Sequence, residues 1–210
     1  MQFAIGQPMP RTEDPRLVTG RGRFTDDIAL PGQLHGHVLR SPYAHADIAG
    51  IDTEEARQAP GVVAVYTIDD LDAAGIGDLP VLVRPKNRDG SDLFAPSRPV
   101  LARGRVRHVG EPVAFVVAQS HMAARDAAEL IVVDYAPRDA VVETARARDH
   151  GAVQLWPEAP GNVALDWSIG DEAGTAAAFE KADAVVEIEL INNRVIVAPM
   201  EPRAALGVWD

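Results

Sequence analysis

Two histidines, His35 and His37, are separated by one residue, so on a strand they would share a face. That is half of a metal site. No local spacing supplies a third ligand, and an ordinary surface or hydrogen-bonded pair is the expectation. Ser41, His45 and Asp47 are the residue types of a hydrolytic triad. Ser41 stands beside Pro42 with no nucleophile-elbow sequence around it. Its hydroxyl and the His45 ring are therefore expected to tie down the RSPYAHA turn.

Arg103, Arg105 and Arg107 with His108 make the one basic run. A solvated strand or turn is expected there, with a phosphate or partner contact as the alternative. Gly110-Glu111-Pro112 follows. Glycine permits a tight approach and proline fixes φ at the entrance to a buried strand. This reads as a structural corner, with Glu111 paired to Arg107 or His108 and a cofactor-facing role second. Met200-Glu201-Pro202-Arg203 is a second corner. A buried carboxylate needs a partner, and Arg194 or Arg203 would give Glu201 a structural ion pair. A cofactor-pocket wall is the alternative. None of these groups forms a complete acid–base, thiolate or metal constellation.

The elements that must position them follow from length and pattern. The chain has 210 residues and a formal net charge of -11. That length holds one large domain or two small ones. The charge opposes nucleic acid, which needs a basic footprint. There is no cysteine, hence no disulfide, thiol nucleophile or cysteinyl iron–sulfur ligand. No run approaches the roughly 20 apolar residues of a membrane span, and the start lacks signal-peptide character. A cytoplasmic location is expected.

Residues 1–33 read as an irregular, Pro/Gly-punctuated arm. Gln33 to Arg40 and Ala46 to Ile51 are strand candidates. Asp52 suits an N-cap with Glu55 at N3, and Pro60-Gly61 ends that helix. Val62 to Tyr66 is a strand and Thr67 opens a short helix. Residues 72–98 read as a surface excursion with Leu93, Phe94 and Leu82 tucked in. Pro112 to Ala118 is a buried strand. Ser120 caps a helix whose Ala124, Ala127, Ala128 and Ile131 recur on one face. Ile131 to Tyr135 is the next strand. Two strand–helix–strand units imply a layered α+β or α/β domain. Beyond a linker-like passage, Asp171 to Lys181 reads as a helix, and Ala184 to Val197 and Ala204 to Trp209 as strands. A terminal strand with an apolar face would expose a pairing edge.

Several clusters carry a resemblance: RTEDPRLVTGRGRFTDDIALPGQLHG, RSPYAHADIAGID, APGVVAVYTIDDL, VRHVGEPVAFVVA, AAELIVVDYAP, NVALDWSIGD and APMEPRAAL. Together, in this order, they resemble the amino-terminal part of the molybdenum-binding large subunit of the xanthine dehydrogenase/aldehyde oxidase family. The nearest style is that of carbon monoxide dehydrogenase-like and aromatic-heterocycle hydroxylase large subunits. The resemblance implies an α+β fold. It places an extended arm at 1–19, an α/β hammerhead domain at 20–140, a linker at 141–162 and the start of a molybdopterin-binding domain at 163–210.

It further implies a complete enzyme that hydroxylates a carbon with oxygen from water. Molybdenum would sit in a molybdopterin cytosine dinucleotide, with iron–sulfur clusters and FAD on partner subunits. The remaining large-subunit polypeptide would be a further partner. The family's glutamine beside the molybdenum oxo group, its glycine-rich stretch and its catalytic glutamate fall beyond the matching clusters. No catalytic, cofactor-binding or metal residue is therefore carried over. The expected role is a non-catalytic structural portion or split subunit. An independent scaffold derived from the same fold is the alternative. Asp47 stands where the family segment often has a basic residue, which puts a surface contact in doubt.

Overall fold

A computed structural model describes residues 6–192, 195–199 and 203–209. The chain divides into two units, Leu34–Asp183 and the combination of Met1–Gln33 with Ala184–Asp210.

The larger unit holds two three-stranded sheets. The elements in chain order are β1 (His35–Arg40), β2 (Ala46–Asp52), helix α1 (Glu54–Gln58), β3 (Val62–Tyr66), helix α2 (Ile68–Ala73), β4 (Arg105–Val106), β5 (Pro112–Ala118), helix α3 (His121–Glu129), β6 (Val132–Pro137) and helix α4 (Glu172–Glu180). One sheet has the order β1-β5-β3, the other β4-β2-β6. Every pairing is antiparallel. In both strand–helix–strand units the helix hands the chain from one sheet to the other. Unit β2–α1–β3 leaves the second sheet for the first, and β5–α3–β6 returns. No parallel crossover arises, and the class is α+β.

β5 is the pivot. Its side chains alternate between faces. Ala114, Val116 and Ala118 join Val65, Ala56 and the α3 residues Ala124, Ala127 and Ala128 in the main core. Val113 faces the other way, into a second core with Ala46, Ala102 and Val106. Ile51 and Val133 pack against both. The helical spacing of small residues thus reports a close helix–sheet contact, as expected. Ser120 caps α3, its hydroxyl accepting from the Ala123 amide at 3.1 Å.

The first helix starts one residue later than expected. Pairing of β2 with β6 runs out to Asp52↔Val132, which keeps Asp52 in the ladder and leaves Thr53 at the N-cap. The Asp52 carboxylate still accepts from the Glu54 amide at 3.0 Å. Pro60-Gly61 follows the helix as read, with Gly61 at φ +79°. At α2, Asp70 accepts from the Thr67 amide and hydroxyl.

Residues 72–98 are an excursion with Leu93 and Phe94 partly buried. Leu82 corrects the reading: it is 88% exposed. Farther along the chain, residues 163–166 run against this excursion. Arg88 and Phe94 amides donate to the Asp166 and Ala164 carbonyls, and the Asp166 amide to Asn87 Oδ1.

In the other unit, a short helix (Asp14–Val18) and a 3-10 turn (Thr25–Asp27) have no buried residues. The strands expected within 184–209 are not formed among the described residues. Apolar, β-branched sequence supplies strand propensity, but a strand exists only against a partner that takes its backbone hydrogen bonds. Ile196 and Trp209 are 94% and 98% exposed.

Candidate functional site

The Ser41, His45 and Asp47 side chains each have another task. Ser41 Oγ accepts from the Tyr43 amide at 3.0 Å and lies 3.1 Å from the Tyr43 carbonyl, closing the turn. His45 Nδ1 lies 2.7 Å from the Asp139 carbonyl, which can only accept, so Nδ1 carries the hydrogen. Both residues are buried. Asp47 takes Arg105 and Arg138 on its two oxygens, each at 2.5 Å. The Arg105 hydrogen bond first, then that of Arg138, holds this carboxyl below its ordinary range. No triad is assembled, and the RSPYAHA turn is tied as expected.

His35 and His37 do share a face, and the structure adds a residue the spacing did not reveal. Antiparallel pairing sets His35 opposite Ala118, so His121, at the start of α3, arrives above both. Its ring centroid lies 6.5 Å from that of His35 and 6.3 Å from that of His37. Burial first, then the His121 charge and those of Arg125 and Arg40, lowers the His37 pKa; Glu129 opposes this. Among the described residues, no three His, Cys, Asp or Glu side chains stand close enough to hold a metal ion.

The Gly110 corner is built from backbone. The Gly110 amide donates to the Ser41 carbonyl at 2.8 Å, the Ser41 amide to the Glu111 carbonyl at 2.9 Å, and Arg40 Nη1 to the Gly110 carbonyl at 2.8 Å. Glu111 Oε2 accepts from the Arg107 amide at 2.5 Å and lies 3.5 Å from His108 Nδ1. Both partners expected for Glu111 are thus engaged, Arg107 through its main chain.

Gly110 has φ +85°, and an added Cβ would meet nothing within 4 Å. Overpacking therefore drops out, leaving backbone strain. Gly110→Ala is expected to cost about 1–2 kcal/mol, the left-handed penalty for a residue with a Cβ. Urea unfolding checks it: the midpoint should fall at constant slope, and an unmoved midpoint refutes the strain.

The basic run lines a cleft of about 820 Å³, walled by Phe94, residues 95–100, the Glu111 corner and residues 156–158. Arg103 is neutralised by Asp72 at 2.6 Å and Asp78 at 3.2 Å, and Arg105 by Asp47. Arg107 differs. Its Nε donates to the Leu155 carbonyl at 3.3 Å, and its Cζ lies 4.9 Å from the Trp156 ring centroid. Burial, then Arg105, pushes its pKa down. The sequence marked the arginines and a tucked-in Phe94, but neither Trp156 nor the meeting of the two rings, which lie 6.2 Å apart.

At the second corner, Arg194, Met200, Glu201 and Pro202 lie outside the described residues; Arg203 is exposed. The ion pair expected for Glu201 lies there too.

A family model described as the aldehyde oxidase and xanthine dehydrogenase a/b hammerhead domain matches residues 19–139. A molybdopterin cofactor-binding domain model matches 155–210. The nicotine 6-hydroxylase large subunit of Paenarthrobacter nicotinovorans is 39% identical over 98% of this chain and 24% of its own length. The carbon monoxide dehydrogenase large chain of Afipia carboxidovorans is 37% identical over 98% of this chain and 26% of its own. Among solved structures, a Cu,Mo-CO dehydrogenase superposes with TM-score 0.68 at 36% identity, covering 85% of this chain and 23% of that one. Quinoline 2-oxidoreductase from Pseudomonas putida 86 gives 0.60 at 41%, covering 69% and 18%. The chain spans about a quarter of the length of these curated relatives.

Proposed function

Because this chain belongs to the aldehyde oxidase and xanthine dehydrogenase family, we propose that it is the structural amino-terminal portion of a molybdenum-dependent hydroxylase or dehydrogenase. In this reading residues 1–19 are an arm, 20–140 the hammerhead domain, 141–162 a linker and 163–210 the opening of the molybdopterin-binding domain. The complete enzyme oxidises an aldehyde, a purine, an N-heterocycle or carbon monoxide with oxygen from water. Its molybdenum is held by molybdopterin cytosine dinucleotide, and partner subunits carry iron–sulfur clusters and FAD. It works in the cytoplasm.

One observation carries the reading. Two family models match in order along a chain that aligns almost completely to large subunits while covering a quarter of them. The apolar surface of the described residues between 185 and 209 supports it. Val186, Leu190, Ile196 and Trp209 are exposed, which suits residues awaiting strand partners from the rest of a large subunit. The role proposed for this chain is scaffold and docking surface.

The test is expression of the chain alone and together with the remaining large-subunit sequence and the two redox subunits. Molybdenum per chain and turnover with an artificial electron acceptor are measured. The chain alone should hold no stoichiometric molybdenum and turn over no substrate, and the full assembly should do both. Turnover by the isolated chain, or full turnover by an assembly lacking it, defeats the proposal.

A further inference from the structure

Arg107 is a cation taken partly out of water with no carboxylate at ion-pair distance among the described residues. Arg103 and Arg105, two and four residues earlier, each have carboxylates at ion-pair distance. Glu111 lines the same cleft, but its Oε2 serves the Arg107 amide and His108. Glu158 lines it too, and Glu111, Glu158 and Asp47 act on the Arg107 charge only from beyond ion-pair distance.

The guanidinium is nevertheless fixed. Nε is held by the Leu155 carbonyl, and Cζ lies over the Trp156 ring. A cation over an aromatic face is attracted by the ring's electrons. A guanidinium has five N–H donors in a rigid fork. With Nε occupied, the Nη1/Nη2 end remains, and no described residue takes a hydrogen bond from it. That end suits a carboxylate, which accepts two parallel N–H bonds. A partly desolvated charge gains most from such a partner.

We propose that this cleft is a carboxylate-binding subsite, with the Nη edge of Arg107 gripping the anion and Trp156 and Phe94 flanking the apolar group attached to it. A single negative charge fits better than a dianion. Glu111 and Glu158 share the cleft, and the chain carries a net charge of -11. The carboxylate could be that of a small organic acid or of a Glu or Asp side chain on a partner polypeptide; the chemistry recognised is the same. The assignment stands on this geometry and does not depend on the molybdenum enzyme proposed above.

Calorimetric titration of the 210-residue chain tests it with benzoate, neutral benzamide and inorganic phosphate. Benzoate should bind at least about tenfold more tightly than benzamide, and phosphate more weakly than benzoate. Arg107→Gln should reduce benzoate to the benzamide level. Arg107→Lys keeps the charge but not the fork and should lose about tenfold; circular dichroism confirms that both variants fold. A blocked tripeptide carrying one glutamate, set against its glutamine counterpart, separates the sources. A glutamate peptide that outbinds benzoate assigns the site to a polypeptide side chain; the reverse order assigns it to a small acid. Equal binding of benzoate and benzamide, tighter binding of phosphate, or an Arg107→Gln variant that binds benzoate unchanged overturns the proposal.

Discussion

Ala128→Leu is expected to destabilise the larger unit by about 1–3 kcal/mol, the cost of forcing extra methylenes into a filled core. Ala124, Ala127 and Ala128 are all fully buried, and they face the β5 residues Ala114, Val116 and Ala118. Alanine on both sides lets helix and sheet approach closely. Interiors packed to crystal-like density leave no room for three more heavy atoms. The leucine must therefore lift the helix or distort its own rotamer. Lifting is costly beyond the local contact, because α3 leads directly into β6, which pairs with β2 along its length. Both cores then feel the change. Urea unfolding should show a lower midpoint at unchanged slope. Met122→Ala on the exposed side of the same helix should stay within about 0.5 kcal/mol of wild type, as surface substitutions generally do. If Ala128→Leu matched the wild-type midpoint, the helix would not be seated on the sheet as described.

That helix was legible in the sequence because its signals are local. Ser120 and the Ala124, Ala127, Ala128 spacing fall within three turns. The turn at Pro60-Gly61 was legible for the same reason. What escaped depends on residues far apart in the chain. No local pattern says that β5 pairs with β1 and β3 while β6 pairs with β2, so the transfer of the chain between sheets was invisible. His121 is the third imidazole beside His35 and His37 only because β1 and β5 are neighbours. Trp156 reaches Arg107 from beyond β5, α3 and β6, and neither residue announces the other. Asp52 missed its expected cap because sheet pairing, a tertiary interaction, outweighed the capping preference. The strand expected over 184–197 is a different case: among the described residues it is not formed, since propensity is present there and a pairing partner is not. Family identity was legible where fold detail was not, since it rested on the order of short clusters along the chain.

Asn162→Ala is expected to open the loop that walls the cleft. The carboxamide of Asn162 serves three backbone groups. Its Oδ1 accepts from the Leu155 amide at 3.0 Å, and its Nδ2 donates to the carbonyls of Ala147 at 2.8 Å and Val153 at 2.9 Å. The residue also sits at φ 57°, a left-handed conformation that asparagine tolerates better than alanine. Alanine loses the three bonds and keeps the strain. Unmade partners on partly buried backbone cost about 1–3 kcal/mol each where water cannot replace them, so a local loss of about 2–4 kcal/mol is reasonable once water re-solvates some of them. The effect should be local, because these bonds hold the loop and not the sheets. Hydrogen exchange at the Leu155 amide reads it directly, and exchange should quicken by roughly a hundredfold. Asn162→Gly separates the two causes: it relieves the backbone but still lacks the carboxamide, so it should recover only part of the protection. The Leu155 carbonyl also holds Arg107 Nε, and Trp156 is the next residue. A loosened loop should therefore free the Arg107–Trp156 stack and change the tryptophan emission. Unchanged Leu155 exchange in Asn162→Ala would mean that the loop is held by something other than this side chain.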